Sequence, residues 1–385
     1  MSSATPSRFV RTFPVYFGWP VTVAAAVAMA CTLPGQTAGV SLFIDSFIDD
    51  LEVSRSAVAL AYTGATVGSA LVLPWVGRAL DRWGPRRGVV VIAALFAVAC
   101  VAMGQARGLA TLAVGFFLLR ALGQGALSLA AVHVVNLWFV KRRGVAVGVM
   151  GLGMAAAITF VPGLIERGIG TVGWRETYAW LGVAVAVVLL PVGATFFRRH
   201  PESYGLLPDG LTGDDAPPER SVALEDARRT GTFWLLTAGL ASTSCIGTAL
   251  LFHHVDVMGA GGLSRADAAL LFVPYGVVTA ASSLGAGAVL DQIGPGRVLG
   301  VSLALFASMT ASVPLVDSTA GVWAYGVVFG LVQGAQGNVG GSAYAFFFGR
   351  RHIGAIKGFT RTVFVAATAV GPPLVAWGAA TLGYG

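Results

Sequence analysis

The feature that most constrains this chain is a series of long apolar stretches joined by short polar connections. Each stretch has close to, or more than, the roughly 20 mostly apolar residues that cross a bilayer as a helix. The eleven stretches fall at 15–42, 54–76, 88–106, 110–138, 144–165, 174–197, 231–253, 264–287, 298–315, 320–347 and 354–377. We therefore predict an all-α membrane protein with eleven spans.

Composition and charge agree with this assignment. Hydrophobic residues make up 56% of the chain and charged residues only 11%, against about 25% charged in soluble proteins. The formal net charge is +7, but the basic residues lie in short clusters between apolar stretches. That placement follows the positive-inside rule and does not indicate a nucleic-acid partner.

The basic residues also predict the orientation. With the N-terminus in the cytoplasm, 18 of the 25 Lys and Arg residues lie inside and five outside, and the other two, Arg120 and Arg361, lie within spans. We expect a multi-pass protein of the cell inner (cytoplasmic) membrane with a cytoplasmic N-terminus. Its partners are the lipid bilayer and a small-molecule solute.

An internal repeat recurs at one fixed offset of 210 residues, without gaps. Such repeats are typical of secondary transporters, with the solute site between the copies. The matching residues are Ser54 and Arg55 with Ser264 and Arg265; Gly77, Asp81, Gly84, Pro85 and Arg87 with Gly287, Asp291, Gly294, Pro295 and Arg297; and Gly144 and Gly148 with Gly354 and Gly358.

The repeat predicts the domain organisation. Residues 1–197 form an N-terminal half of six helices, and residues 231–385 form a C-terminal half with five helices visible. The sixth span predicts a twelfth at 384–407, so we expect that this sequence lacks its last helix; the alternative is that eleven spans suffice. Residues 198–230 form a cytoplasmic linker, which we interpret as a flexible tether rather than a regulatory site.

The connection after the second span is GRALDRWGPRR, from Gly77 to Arg87. It resembles the signature loop of the major facilitator superfamily, and the resemblance extends over the chain through the weaker copy GAVLDQIGPGR. The resemblance implies the fold of that superfamily, with two pseudo-symmetric six-helix halves, and the twelfth helix is missing from this sequence. It also implies that the loop stabilises the outward-facing state. The alternative for the arginines is that they only anchor the topology. The implied latch residues are Gly77, Asp81, Arg82, Gly84, Arg87, Asp291 and Arg297.

Finer segments resemble the branch of bacterial monocarboxylate transporters and oxalate:formate antiporters. They are YFGWP at 16–20, LEVSRSAVALAYT at 51–63, NLWFVKRRGVAVG at 136–148 and FFGRRHIGAIKG at 347–358. That branch commonly has a basic residue within the eighth span to bind a carboxylate. Here that span has no charge after Asp267, which weakens the carboxylate assignment.

Two ionisable residues within spans are candidate ligands for the solute. A charged side chain in a span costs about 2.5–3.5 kcal/mol on insertion scales, so Arg120 and Arg361 are functional candidates. A guanidinium matches the two oxygens of a carboxylate. Alternatively, Arg120 bonds a neighbouring helix and fixes packing. Polar residues expected to line the cavity with these arginines are Thr32, Gln36, Gln124, His133, Thr248, Tyr275, Gln333 and Gln336.

The sequence gives less information on whether transport is coupled to protons or to a second solute. No acid lies well inside a predicted span, so proton symport lacks its usual residue. His253 and His254 end the seventh span and are candidates for proton coupling, although interfacial capping is the alternative. Exchange and facilitated diffusion fit equally well.

These patterns predict a transporter of a small organic anion, a monocarboxylate, by rocker-switch alternating access, as a symporter, an antiporter or a facilitator. The alternative on the same fold is an exporter of drugs or hydrophobic metabolites. A non-transporting receptor is a further alternative. A membrane enzyme is not favoured, because neither Lys141 nor Lys357 starts a phosphate-binding loop and no metalloprotease or esterase motif is present. We expect no metal, no cofactor and a monomer.

Overall fold

The computed structural model describes residues 8–211, 221–264, 267–268 and 270–382. A helix occupies each of the eleven predicted stretches. These helices are α1 (Gly18–Cys31), α2 (Arg55–Trp83), α3 (Pro85–Met103), α4 (Leu109–Trp138), α5 (Arg143–Val172), α6 (Trp174–Phe196), α7 (Gly231–Phe252), α8 (Phe272–Ile293), α9 (Pro295–Ser312), α10 (Thr319–Phe348) and α11 (Ile353–Leu382).

Most of these helices have the length and apolarity of membrane spans. Nine of the helices in the described ranges are long and apolar enough to cross a bilayer, and α1 is a shorter apolar helix. Large apolar side chains remain exposed along them, as at Leu60, Phe160 and Leu235. Such surfaces are stable in lipid, where helices satisfy all of their backbone hydrogen bonds internally.

The first predicted span is a broken helix. α1 ends at Cys31, and the chain continues through a 3₁₀ turn at Leu33–Gly35 and a short helix at Thr37–Val40. Pro34 lacks a backbone N–H, and Gln36 has extended backbone angles (φ −85°, ψ 156°), so the helical hydrogen bonds cannot continue through this point. The prediction of one span over 15–42 missed this break.

The second predicted span is longer than expected. α2 continues to Trp83 and ends at Gly84, whose φ of +81° favours glycine, and α3 begins at once at Pro85. The second copy repeats this turn at Gly294, with φ of +86°. The predicted end at residue 76 placed Asp81 in the connection between helices. The structure instead places Asp81 in the last turn of α2.

The chain divides into two compact units. The first comprises residues 1–141, 149–224 and 348–359, and the second comprises residues 142–148, 225–347 and 360–385. The start of α11 thus belongs to the first unit and the start of α5 to the second. These units are defined by spatial contacts and do not coincide with the two halves of the sequence. The division into halves at 1–197 and 231–385 therefore remains a prediction.

Each unit has a core of its own. In the first unit, the rings of Phe43 and Tyr178 lie 4.1 Å apart, and Phe47 packs edge-on against Phe116 and Trp174. In the second unit, buried side chains from α7, α9, α10 and the connections beside them form a continuous cluster; they are Leu250, Met258, Ala268, Leu271, Phe306, Met309, Val313, Val316, Val322, Tyr325, Phe329 and Val332.

The beginning of the linker packs against the first unit. The Oδ2 atom of Asp209 accepts hydrogen bonds from the backbone N–H groups of Val140 (2.9 Å) and Lys141 (2.8 Å). Pro201 and Pro208 are buried. The interpretation as a flexible tether is therefore wrong for residues 201–211, because these contacts fix the backbone. Residues 212–220 lie outside the described ranges.

An ion pair adds to this attachment. Glu202 accepts a hydrogen bond from Arg350, and the other terminal nitrogen of Arg350 donates to the carbonyl oxygen of Leu137 at 2.6 Å. Burial raises the pKa of Glu202, but hydrogen bonds from His200 and Arg350 outweigh that effect and bring the pKa to about 2. Its stabilisation is therefore fully present above its ordinary pKa of 4.5 and is lost as the pH falls toward 2.

We predict that Glu202→Gln lowers the free energy of unfolding by about 1 kcal/mol, since the side chain is partly exposed and the pair is screened. Thermal unfolding in detergent should show the same deficit at about pH 7.5 and pH 5.5, because wild-type Glu202 stays ionised throughout this range. The deficit should shrink near pH 3. Glu225→Gln, at an exposed acid of the same linker, is the matched control. A deficit that disappeared already at pH 5.5 would contradict the prediction.

Candidate functional site

Arg120 lies at an irregular point of α4. The helix is α-helical over Leu109–Leu119, π-helical over Arg120–Leu127 and α-helical again over Ser128–Trp138. π-Helical turns are rare and occur frequently at functional sites. The side chain of Arg120 is only 5% exposed.

The Arg120 guanidinium faces the break in the first span. Its Nη1 atom donates long hydrogen bonds to the carbonyl oxygen of Gly35 (3.4 Å) and to Oγ1 of Thr37 (3.3 Å). Its Cζ atom lies 5.0 Å from the centre of the Tyr62 ring. The Tyr62 hydroxyl donates to Thr37 Oγ1 at 2.9 Å, which holds the ring in place. We refer to Gly35, Thr37, Tyr62 and Arg120 as the Arg120 site.

The positive charge of Arg120 is not balanced locally. Among the described residues, no acid forms an ion pair with it, and its Nε atom has no hydrogen-bond partner. Weak backbone and hydroxyl contacts with one cation–π contact offset only part of the cost of burying a charge. The arrangement therefore leaves a buried N–H donor of the guanidinium unused.

Other predicted ligands of the first unit lie near this site or form local contacts. Gln36 sits between the two residues that contact Arg120, and its side chain donates to Thr32 Oγ1 at 3.0 Å, as the four-residue spacing predicts. Gln124 lies in the π-helical segment and is half-buried. Sequence analysis missed Tyr62 and Thr37; a tyrosine within an apolar span was the available signal.

The predicted ligands of the second unit are more dispersed. Gln336 is 6% exposed and accepts a hydrogen bond from Thr243, while its Nε2 atom has no partner. The side chains of Tyr275 and Gln333 interact with each other. Thr248 and Arg361 are half-buried on α7 and α11.

The two candidate proton-coupling histidines bond to backbone carbonyls. His253 Nε2 lies 3.0 Å from the carbonyl oxygen of Pro372, and His254 Nε2 lies 2.8 Å from that of Ala268. Both side chains are buried, and the His254 ring stacks on Tyr325. Each imidazole thus has a partner that fixes its orientation, and the suggested role in proton coupling remains a prediction.

The Asp81 contact joins the end of α2 to the start of α11 within the first unit. The carboxylate oxygens of Asp81 accept hydrogen bonds from the backbone N–H groups of Gly354 (2.9 Å) and Ala355 (2.8 Å). The first N–H groups of a helix have no partner within the helix and carry partial positive charge. A carboxylate at this position therefore makes two charge-assisted hydrogen bonds.

The Asp291 contact repeats this geometry within the second unit. Asp291 accepts hydrogen bonds from the backbone N–H groups of Gly144 (2.7 Å) and Val145 (3.0 Å) at the start of α5. The three residues of this contact correspond, at the offset of 210, to the three residues of the Asp81 contact. The structure therefore conserves one interaction in both copies of the repeat.

Glycines allow the close approach beside each contact. A Cβ atom at Gly77 would overlap the carbonyl oxygen of Gly354, and one at Gly287 would overlap that of Gly144. The arginines expected to share the latch lie elsewhere: Arg82, Arg87 and Arg297 are all exposed. Their part in a latch remains a prediction.

His133 lies beside Asp81 rather than beside Arg120. It is 13 residues from Arg120 along α4, or roughly 20 Å at 1.5 Å per residue. Its Nδ1 atom lies 3.8 Å from the nearer carboxylate oxygen of Asp81. The structure thus separates His133 from the Arg120 site, with which the sequence grouped it.

A profile of the Major Facilitator Superfamily matches residues 25–372 of this chain. The chain belongs to the Major Facilitator Superfamily. It is therefore a multi-pass membrane protein of a transporter family, as its signature loop and apolar helices predicted. Among the described residues, no group of His, Cys, Asp and Glu side chains has a geometry that could hold a metal ion.

Relatives in this superfamily include carriers of small acids. Monocarboxylate transporter 11 of Mus musculus is 29% identical over 290 residues, which cover 72% of this chain and 60% of the mouse protein. The oxalate:formate antiporter of Oxalobacter formigenes is 22% identical over 349 residues, covering 86% and 81% of the two chains. This chain thus spans less than two thirds of the mouse transporter.

Solved structures support the same fold. The human organic anion transporter MFSD10 (TETRAN) superposes with a TM-score of 0.68 at 16% identity, covering 95% of each chain. The proton:xylose symporter XylE superposes with a TM-score of 0.63 at 16% identity, covering 94% and 88%. At this identity the likeness shows the superfamily fold alone.

We predict that Gly77→Ala destabilises the protein by about 1–3 kcal/mol, because the added Cβ overlaps a backbone carbonyl that cannot turn away. Thermal unfolding in detergent measures the effect. Gly64→Ala in the same helix is the control, since nothing lies within 4 Å of its added Cβ; this variant should be neutral or slightly more stable. Equal effects of the two substitutions would show that the close approach at Gly77 is not a constraint.

Proposed function

We propose that this protein is a carrier, not an enzyme, that moves a small organic anion, a monocarboxylate in the first instance, across the cytoplasmic membrane by alternating access. The Arg120 site binds the carboxylate. The observation that carries this proposal is a buried guanidinium at a break in the first span, with no acidic partner among the described residues.

Energetics favour an anionic ligand at Arg120. A buried charge that lacks a partner is strongly destabilising, so a permanently unpaired arginine is expensive to keep within a span. A carboxylate would recover that cost, because the guanidinium edge matches its two oxygens. The Tyr62 ring on one side and the Gly35 carbonyl on another fix the plane of the guanidinium, which orients its open edge before the solute arrives.

The named solutes of the relatives agree with this chemistry. Monocarboxylates, oxalate and formate, the solutes in the names of the two relatives, are all small organic anions. Arg361, Tyr275, Gln333, Gln336 and Thr248 of the second unit remain candidate solute ligands from the sequence.

The Asp81 and Asp291 contacts would act as latches in the transport cycle. Each one joins the end of one helix to the start of another from the opposite half of the sequence. Rocker-switch movement of the halves requires such contacts to break and form again in alternation. With the N-terminus in the cytoplasm, as the basic residues favour, both contacts lie on the cytoplasmic side. We propose that the carrier works as a monomer.

The proposal is tested by uptake into proteoliposomes of the purified full chain, with labelled lactate, pyruvate, oxalate and aromatic acids as the panel. We expect saturable uptake of at least one of these anions. Arg120→Ala should raise the apparent KM by about 30-fold or more, because loss of a charged partner costs at least about 2 kcal/mol. Absence of uptake for every anion in the panel would overturn the assignment of solute class.

Control variants separate binding from packing. Arg120→Lys keeps the charge but loses the forked geometry, so we expect an intermediate KM. Arg107→Gln removes an exposed arginine of the same unit and should leave uptake unchanged. If Arg120→Ala inserts and folds normally yet keeps the wild-type KM, Arg120 has a packing role and lies outside the solute site.

A further inference from the structure

His133 is a buried titratable side chain that the proposed transport cycle does not use. It is 2% exposed, and its Nδ1 atom has no hydrogen-bond partner in the part of the chain that the structure describes. The Oδ1 atom of Asp81 lies 3.8 Å from that nitrogen. This distance is too long for a hydrogen bond, so the ring nitrogen and the carboxylate oxygen face each other without one. A proton held between them requires the two atoms to approach.

The charged groups around His133 are few. Asp81 faces it from α2 and Lys357, 7% exposed, faces it from α11. The segment Ser128–Trp138 of its own helix has no other titratable residue. α1 and α3 also pack near this segment, and the charged residues of α3, Arg86 and Arg87, are exposed. The turn at Pro208–Gly210 packs against it as well and carries Asp209, and Arg350 donates to the carbonyl oxygen of Leu137 at its end. Burial opposes a protonated imidazole at this position most strongly, Lys357 opposes it further, and Asp81 favours it.

We propose that His133 and Asp81 form a proton-binding site of this carrier. A proton from the aqueous side adds to the lone pair of His133 Nδ1, and the new N–H donates to Asp81 Oδ1. No other bond forms or breaks, and the pair gains one positive charge. Oδ1 is also the atom that accepts the N–H of Gly354, so the bound proton competes directly with one half of the Asp81 contact.

The consequence is a link between proton binding and the start of α11. With an empty site, Asp81 accepts both N–H groups of the helix start. With a proton bound, the imidazolium satisfies one carboxylate oxygen, and the hold of Asp81 on Gly354 weakens. Burial and the positive charge of Lys357 keep the site empty at high pH, so that it fills as the pH falls.

The second copy of the repeat provides an internal control. The Asp291 contact has the same geometry, but at the offset of 210 the counterpart of His133 is Ala343 and that of Lys357 is Val147. No histidine is available there. The Asp291 contact should therefore not respond to pH in the range where His133 titrates.

Hydrogen exchange on the full chain in detergent or nanodiscs tests the proposal without any solute. The readout is the ratio of two exchange rates, that of peptides covering 353–359 and that of peptides covering 143–149. Taking the ratio cancels the pH dependence that amide exchange has in any peptide. We expect this ratio to rise about fivefold or more between about pH 8 and pH 4, because burial makes the imidazole harder to protonate. A ratio that stays constant in the wild-type protein would overturn the proposal.

Two variants act in different directions. His133→Gln should abolish the pH dependence of the ratio, and an unchanged dependence in this variant would also overturn the proposal. Lys357→Met removes the opposing charge and should move the midpoint up by about one pH unit. This shift remains measurable if His133→Gln does not fold, and its absence would count against the site. Because no solute is present, failure here leaves the role of Arg120 in anion uptake unaffected.

Discussion

The hydrogen bonds from the helix starts of α5 and α11 to Asp291 and Asp81 are the constraint on which much of this structure depends. The first N–H groups of a helix need an acceptor, and water is scarce beside a tightly packed helix pair. A carboxylate supplies two acceptors and opposes the helix dipole. Its placement requires the backbones to approach closely, which accounts for Gly77 and Gly287, and it requires α2 and α8 to end in tight turns.

The balance of charge at the two sites is opposite. At the Asp81 contact, a buried negative charge has donors on both oxygens. At the Arg120 site, a buried positive charge has only weak neutral partners, and part of its donor edge is unused. In a low-dielectric environment the first arrangement is stable by itself, and the second gains most from a ligand. This difference is why we assign structural work to the aspartates and solute binding to the arginine.

Sequence analysis located the helices and the signature residues but not their partners. Apolar length predicted all eleven helices, because the bilayer fixes the required length, and the offset of 210 predicted that Asp81 and Asp291 would behave alike. Helix ends were less predictable: α2 extends to Trp83, and the first predicted span breaks after Cys31, where α1 ends. Arg120 could be predicted as a candidate ligand because charged residues are rare within spans. Its contacts with Tyr62 and Thr37 could not be predicted, since they depend on packing between residues 58 and 83 positions apart. The packed segment 201–211 was missed for the same reason.

The π-helical segment of α4 has a bearing on how a duplicated protein becomes asymmetric. α4 and α10 correspond residue for residue at the offset of 210, and both contain 30 residues. Only α4 contains a π-helical stretch, whereas α10 is α-helical throughout. Because a π-turn takes more residues than an α-turn, side chains beyond it rotate relative to their counterparts. Divergence of this kind needs neither insertion nor deletion: a change in local winding alone can present a different set of side chains from an ancestral helix of unchanged length.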